Sequence, residues 1–353
     1  MGLLSNAKPG AAKPAFSEEQ WNAFLSSQEL LKTRIEELAS EITDSKASSK
    51  EKSETDKTVS WLKKEMTELQ QRAERIERLL EMHSYGVTEE KRPQQIIVTL
   101  TSYGKRIGTV PRCLERLMNQ TLKPDRIILY LSVLNFPDRE AGLPLRLLEM
   151  KRQGLEIRWC EGDQKSFKKL LPALKDFPED ILITVDDDLY VDLNMIERLY
   201  QNHRLHPEAV IASRAHKMVF DEDGKLLAYE NWEKSVSSPE MIPGFDLLPT
   251  TGAGTLFPPG CFPEEVFNEK AIWECCPDAD DLWVKTMLTL KGAPVLQPDK
   301  RYPLRMIEGT QDESLWAVNM NGNDIQLRAL LDRYKKGESD KDFFCKTKET
   351  VSC

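Results

Sequence analysis

The chain has 353 residues, 40% of them hydrophobic, and a formal net charge of −9. That is apolar material for one large domain or two ordinary ones, and an acidic balance without a long basic stretch argues against non-specific nucleic-acid binding. Seven cysteines without a CxxC pair suit neither a disulfide framework nor a zinc site. No apolar run approaches the roughly 20 residues of a membrane helix. Met1-Gly2-Leu3-Leu4-Ser5-Asn6 departs from a myristoylation signal at Asn6. The expectation is a soluble, cytoplasmic protein, with peripheral membrane association left open.

Residues 1–16 are Ala, Pro, Gly and Lys with little to bury, and disorder is expected there. Residues 17–90 are expected to be helical. Ser17-Glu18-Glu19-Gln20 is close to a capping box. Leu31, Ile35, Leu38 and Ile42 make a short seam, and Leu62, Met66, Leu69, Ala73, Ile76 and Leu80 a better one, of about three heptads. Such a stripe suits self-association as a homo-oligomer. The competing reading is an amphipathic helix packed on its own domain.

From residue 91 to 334 the pattern changes to strands alternating with helices. Ile96–Thr101, Arg126–Ser132, Leu155–Trp159 and Ile181–Val185 are apolar, β-branched runs. Helices are expected over Val110–Gln120, Leu143–Gln153, Phe167–Asp176 and Leu193–His203, with a further strand at Ala209–Ser213. Alternation at this spacing predicts an α/β fold with an open sheet, parallel at first. Three carboxylates, Asp186, Asp187 and Asp188, follow the fourth strand. Ligands of open α/β sheets sit beyond the carboxyl ends of strands, and a hard divalent cation shared with phosphates suits such a cluster. A solvated acidic turn is the plain alternative. Residues 249–260 are rich in Gly and Pro and read as a sharp turn or a ligand-approaching loop. Asp278, Asp280 and Asp281 open a helix, where capping and the helix dipole favour acids in any case. Residues 335–353 read as a charged, frayed tail.

Thr101-Ser102-Tyr103, Lys168–Leu174, Asp186–Asp188 and Ala279–Trp283, in this order, resemble the motifs of bacterial family 2 nucleotide-sugar glycosyltransferases of the GT-A fold, over about residues 95–334. The resemblance implies a Rossmann-like mixed sheet with helices on both faces, and inverting transfer of a sugar from a nucleotide-sugar donor, taken as UDP-linked, to a glycan or glycolipid hydroxyl. It implies Mn²⁺ or Mg²⁺ held by Asp188 and Asp186, and donor contacts from Thr101, Ser102, Tyr103, Arg106, Asp163, Lys169, Asp186, Asp187 and Gly254. It implies Asp281 as general base, with Asp280 next. Trp283 would be a sugar platform or a core residue. The chain departs from many members in ending its second strand Leu129-Tyr130-Leu131-Ser132, without an acid pair. Two rivals compete: a haloacid-dehalogenase-type phosphatase, disfavoured by Tyr190 four positions after Asp186, and a coiled-coil scaffold with a degenerate transferase domain.

Overall fold

A computed structural model describes Lys57, Ser60, Trp61 and Lys64, which are helical, and residues 85–345 apart from 238–240, 299–302 and 311–314. Two compact units divide the chain, Met1–Tyr85 and Gly86–Cys353. The disordered start expected over 1–16 and the residues of both seams lie outside the described residues; of the helical region expected over 17–90, Lys57, Ser60, Trp61 and Lys64 are helical, whereas residues 85–90 are irregular and correct the helical reading there.

In the second unit, strands β1 (Ile96–Thr101), β2 (Arg126–Ser132), β3 (Leu155–Cys160) and β4 (Ile181–Val185) are parallel. β1 and β4 are almost wholly buried, which is why they read as unbroken apolar runs rather than alternating ones. Parallel neighbours need crossovers. These are the helices α1 (Val110–Met118), α2 (Leu145–Lys151), α3 (Leu171–Asp176) and, after β4, α4 (Met195–Leu205). The order is β3-β2-β1-β4-β8-β5-β9, with β5 at Val210–Ala212, β8 at Ala253–Phe257 and β9 at Val295–Leu296. β2 leaves β1 on one side and β4 flanks it on the other. Right-handed crossovers then put the helices of the two directions on opposite faces, and a crevice opens beyond the ends of β1 and β4. The fold class is the expected one: an open mixed α/β sheet flanked by helices.

β8 corrects the sequence reading. Residues 249–260 are not simply a turn, because β8 runs antiparallel between β4 and β5 in the middle of the sheet. Gly and Pro around it hide the strand pattern. Gly254 lies within it at φ 95°, and a side chain there would meet Met195 Sδ at 2.3 Å. The ladder with β4 slips between Thr184 and Val185, a bulge at the mouth of the crevice. β6 (Ala215–Lys217) and β7 (Leu247–Pro249) form a separate two-stranded ribbon.

The later helices are α5 (Glu269–Cys275), α6 (Asp280–Lys291), α7 (Leu315–Tyr334) and α8 (Asp340–Phe344). α6 is buried on most sides and ends on Gly292 at φ 70°, the left-handed cap that glycine adopts without strain. Trp283 is fully buried among Met287, Leu327, Leu330 and Leu331, and its indole N–H donates to the Val266 carbonyl at 3.1 Å. It is core, and no sugar platform. The tail is corrected too: Phe343 and Phe344 of α8 are buried in the same cluster. Asp340 ties this end down, pairing with Lys335 at 2.6 Å and accepting the Leu226 N–H at 3.0 Å. Among the described residues no helix is long and apolar enough to cross a membrane.

Candidate active site

The acids leave β4 into the crevice. Asp186 donates its N–H to the Gly252 carbonyl at 2.9 Å, and the Asp188 carbonyl accepts the Ile307 N–H at 2.7 Å. A late segment of chain therefore fixes the first cluster's backbone. Gly252 has a second duty, because a methyl group on it would lie 1.8 Å from Asp186 Oδ2. Gly252→Ala must displace either this carboxylate or the backbone. The expected loss is the 1–3 kcal/mol of overpacking, read as a lowered denaturation midpoint against wild type. An unchanged midpoint would show that Asp186 moves aside freely.

Arg106 stands on the short turn Gly104–Gly108 after β1. Its guanidinium pairs with Asp187 and, at 2.8 Å, with Asp188, and lies 5.5 Å from the Tyr103 ring centre. Burial works against this charge, but Asp187 and Asp188 outweigh it and raise its proton affinity. Burial also pushes Asp187 up to about 6 although Arg106 opposes it. Asp188 is raised by burial and by Asp186. Asp187 Oδ2 and Ser102 Oγ are both buried, and the Ser102 hydroxyl acts on Asp187 to favour its charged form.

The second cluster begins α6. Lys169, on the turn before α3, reaches both groups of acids: its ammonium is 2.6 Å from Asp186 Oδ1 and 3.0 Å from Asp280 Oδ2. Its side chain is 3% exposed. Burial disfavours this cation, but Asp186, Asp280 and Asp281 hold the proton on it more firmly than usual. The sequence reading put Lys169 on a phosphate; the structure places it between carboxylates.

The acids of the pair differ. Ser166 Oγ donates to Asp280 Oδ1 at 2.9 Å, and Lys169 occupies Oδ2. Although burial opposes it, Asp280 is held below the usual carboxylate range by Lys169, Ser166 and Thr251. Asp281 Oδ1 accepts the Thr251 N–H at 2.9 Å, while burial and neighbouring Asp280 push Asp281 up to about 6. The Thr251 hydroxyl lies 2.9 Å from Asp280 Oδ2 and 2.7 Å from Asp281 Oδ1; with one proton it can serve one acid at a time. Thr184 of β4 holds Thr251 by its carbonyl at 2.7 Å. Two adjacent acids thus have proton affinities displaced in opposite directions, an arrangement suited to dividing acid–base and structural roles.

The remaining expected residues are more scattered. The Thr101 hydroxyl donates to the Tyr130 carbonyl at 2.8 Å. Asp163 pairs with Lys168 and accepts from Asn135 Nδ2 at 2.9 Å. Burial opposes its charge, yet these contacts lower its proton affinity. Gly254 is enclosed between Met195 and Ser213, and Gly252 takes the place beside Asp186. Thr251, Gly252 and Ser166 were missed, although the Gly-Pro stretch pointed to the first two.

Five carboxylates (186, 187, 188, 280, 281) thus touch or neighbour two paired cations, Arg106 and Lys169. With all ionised, the excess is five minus two, or three negative charges. Among the described residues no three acid, His or Cys side chains are gathered into a ready-made metal cage. By chemistry the donor set fits a hard divalent cation: carboxylate oxygens carrying excess negative charge.

No protein-family model matches the chain and no curated protein matches it. Among solved structures it is similar to TarS residues 1–349 from S. aureus, in complex with UDP, at 15% identity and TM-score 0.42, covering 70% of this chain and 69% of that one. It is also similar to the mannosyltransferase PcManGT from Pyrobaculum calidifontis, in complex with GDP-Man and Mn²⁺, at 13% identity and TM-score 0.43, covering 76% and 72%.

Proposed function

We propose that the chain is an inverting, metal-dependent glycosyltransferase that moves a sugar from a nucleotide-sugar donor, UDP-linked, to a glycan or glycolipid hydroxyl, and that it self-associates through its N-terminal seam. The carrying observation is the joined pair of acidic clusters at the crevice: one with excess negative charge, the other holding a carboxylate whose proton affinity is raised to about 6. A general base works best with a pKa near the operating pH. Asp281 has it, and its Oδ2 accepts no hydrogen bond among the described residues, whereas both oxygens of Asp280 are engaged.

In this reading the acceptor oxygen attacks the anomeric carbon from the face opposite the diphosphate. A new C–O bond forms there as the bond to the diphosphate oxygen breaks, and the hydroxyl proton passes to Asp281. Asp280, fixed by Lys169, Ser166 and Thr251, sets the position of the base. Arg106 and Tyr103 border the donor side. Asp186 and Asp188 would hold Mn²⁺ or Mg²⁺, which supplies charge stabilisation to the departing diphosphate.

The test is turnover of sugar nucleotides with Mn²⁺, set against turnover of a phosphomonoester. Sugar-nucleotide hydrolysis or transfer supports the reading, and phosphomonoester turnover alone refutes it. Asp188→Asn and excess EDTA are each expected to lower activity by at least about 10²-fold, since losing electrostatic stabilisation of a developing charge costs about that much. Full activity in EDTA, or a fully active Asp188→Asn enzyme, would count against metal held by these acids.

A further inference from the structure

Three consecutive residues between β3 and α3 each reach a different point on the way to the base. Gln164 Nε2 donates to Glu269 Oε1 of α5 at 2.7 Å. The Lys165 ammonium pairs with Asp278 and lies 5.4 Å from the centre of the Trp273 ring. Ser166 Oγ donates to Asp280 Oδ1 at 2.9 Å, and Asp280 precedes the base. Lys165 has φ 51°, a conformation that a residue with a side chain adopts at a cost, and only where its surroundings hold it. Here Asp163 Oδ1 accepts its N–H at 3.1 Å. Gln326 Oε1 of α7 in turn accepts the Asp278 N–H at 2.9 Å, so both partners of the Lys165–Asp278 pair are anchored.

These contacts trace a strip that descends from the surface into the crevice. Glu269 and Trp273 stand four residues apart on α5 and share a face. Glu269 is exposed, Trp273 is 43% exposed, and the side chains of Asp278 and Asp280 are 31% and 16% exposed. Asp278 and Asp281 are three residues apart, so their α-carbons lie within about 11 Å of each other. Tryptophan is usually well buried, as Trp283 is and Trp273 is not. Nor does Lys165 cap its ring: the 5.4 Å separation contrasts with the 3.0 Å at which Lys234 sits over Tyr229. The indole is thus an open apolar surface bordered by two acceptors, Glu269 and Asp278, and two donors, Gln164 and Lys165. A sugar ring has the matching character, with apolar C–H faces and a rim of hydroxyl groups.

We propose that Trp273, with Gln164, Lys165, Glu269 and Asp278, is a subsite for sugar units of the acceptor beyond the one that reacts, and hence that the acceptor is a glycan chain rather than a single sugar. This rests on Asp281 being the base that meets the acceptor hydroxyl. The contacts of the strip run to the acid pair at the start of α6, the side on which the acceptor must then lie. Stacking on a fixed indole gives affinity through apolar contact, and the few polar side chains around it set the orientation of the stacked ring.

The experiment is binding of the full chain to arrayed linear oligosaccharides of glucose, galactose, mannose and N-acetylglucosamine of increasing length, followed by calorimetric titration of the member bound best. Affinity is expected to rise from the single sugar to the longer chains. Trp273→Ala is expected to weaken binding of the longer chains by about tenfold or more, the scale of a truncated aromatic anchor, and Trp273→Phe to retain most of it. UDP affinity is read on the same samples. Absence of saturable binding to every oligosaccharide would overturn the proposal, as would an affinity independent of length. So would a folded Trp273→Ala protein that binds as the wild type does. A loss of UDP affinity in Trp273→Ala would also overturn it, because the indole would then serve the nucleotide. If UDP does not bind even the wild type, the donor reading fails, and the oligosaccharide titration still decides whether the subsite exists.

Discussion

Asp281→Asn is expected to lower sugar transfer by roughly 10²–10⁴-fold, the range for loss of a general base, with UDP affinity held. The separation follows from the geometry. The asparagine amide oxygen can still accept the Thr251 N–H that Asp281 Oδ1 accepts at 2.9 Å, so the turn and the neighbouring Asp280 stay in place. What is lost is the ability to take a proton. The wild-type pH profile carries the companion result. The base must be ionised to act, and its pKa is raised to about 6 by burial and by Asp280. Hence kcat/KM is expected to fall as pH drops through about 6 and to level off above it. Asp281→Asn should abolish that limb. If Asp280→Asn abolishes it and Asp281→Asn does not, the roles of the pair are reversed.

Lys169→Met is expected to be the most destabilising single change in the crevice. The ammonium, itself almost closed to solvent, is 2.6 Å from Asp186, whose side chain is 43% exposed, and 3.0 Å from Asp280, which is 16% exposed. Removing one partner of a buried pair costs about 3–5 kcal/mol because the other charge is left uncompensated, and water reaching Asp186 screens that acid, so the cost falls mainly on Asp280 and lies at the lower end of the range. At about 2–4 °C per kcal/mol for a domain of this size, the melting temperature should fall on the order of 10 °C. The pH dependence identifies the cause. In the wild type Lys169 has a raised pKa, so its contribution is complete below its unfolded value and is lost only at strongly alkaline pH. Asp280 has a lowered pKa; its contribution is present above its unfolded value near 3.9 and is lost as pH falls through the folded value. Both are therefore fully present at neutral pH. In the variant the orphaned acids can escape their penalty by taking up protons. The gap between variant and wild type should be widest above about pH 6 and narrow toward pH 4. A gap independent of pH would mean that lost packing of the long side chain, rather than charge, is responsible.

The sheet's first half was legible because β1, β2 and β4 are buried on both faces and their composition says so. The crevice acids were legible as residues, since Asp186–Asp188 end a strand and Asp280–Asp281 open a helix. Their connections were not. Lys169 lies 17 residues before Asp186 and 111 before Asp280 in sequence, and no periodicity announces that one ammonium will reach both. Thr251 and Gly252 are small and uncharged, and what they do depends on β8 entering the sheet between β4 and β5. That strand was obscured by its own glycines. At Trp283 the sequence left two readings open, and burial against α7 decides for the core.

The docking of α8 has a consequence for how the chain matures during synthesis. Phe343 and Phe344 are among the largest fully buried side chains, and they pack with residues of α6 and α7. β1 to β4 and their crossover helices can assemble as soon as residue 185 and its neighbours leave the ribosome. The helical layer against which α6, and with it Asp280 and Asp281, is set cannot close until residue 344 has been made. The nascent chain thus carries a nearly complete parallel half-sheet beside an open apolar surface, a state that invites chaperone binding or aggregation. The second acidic cluster takes its final position only after residue 344 has been made.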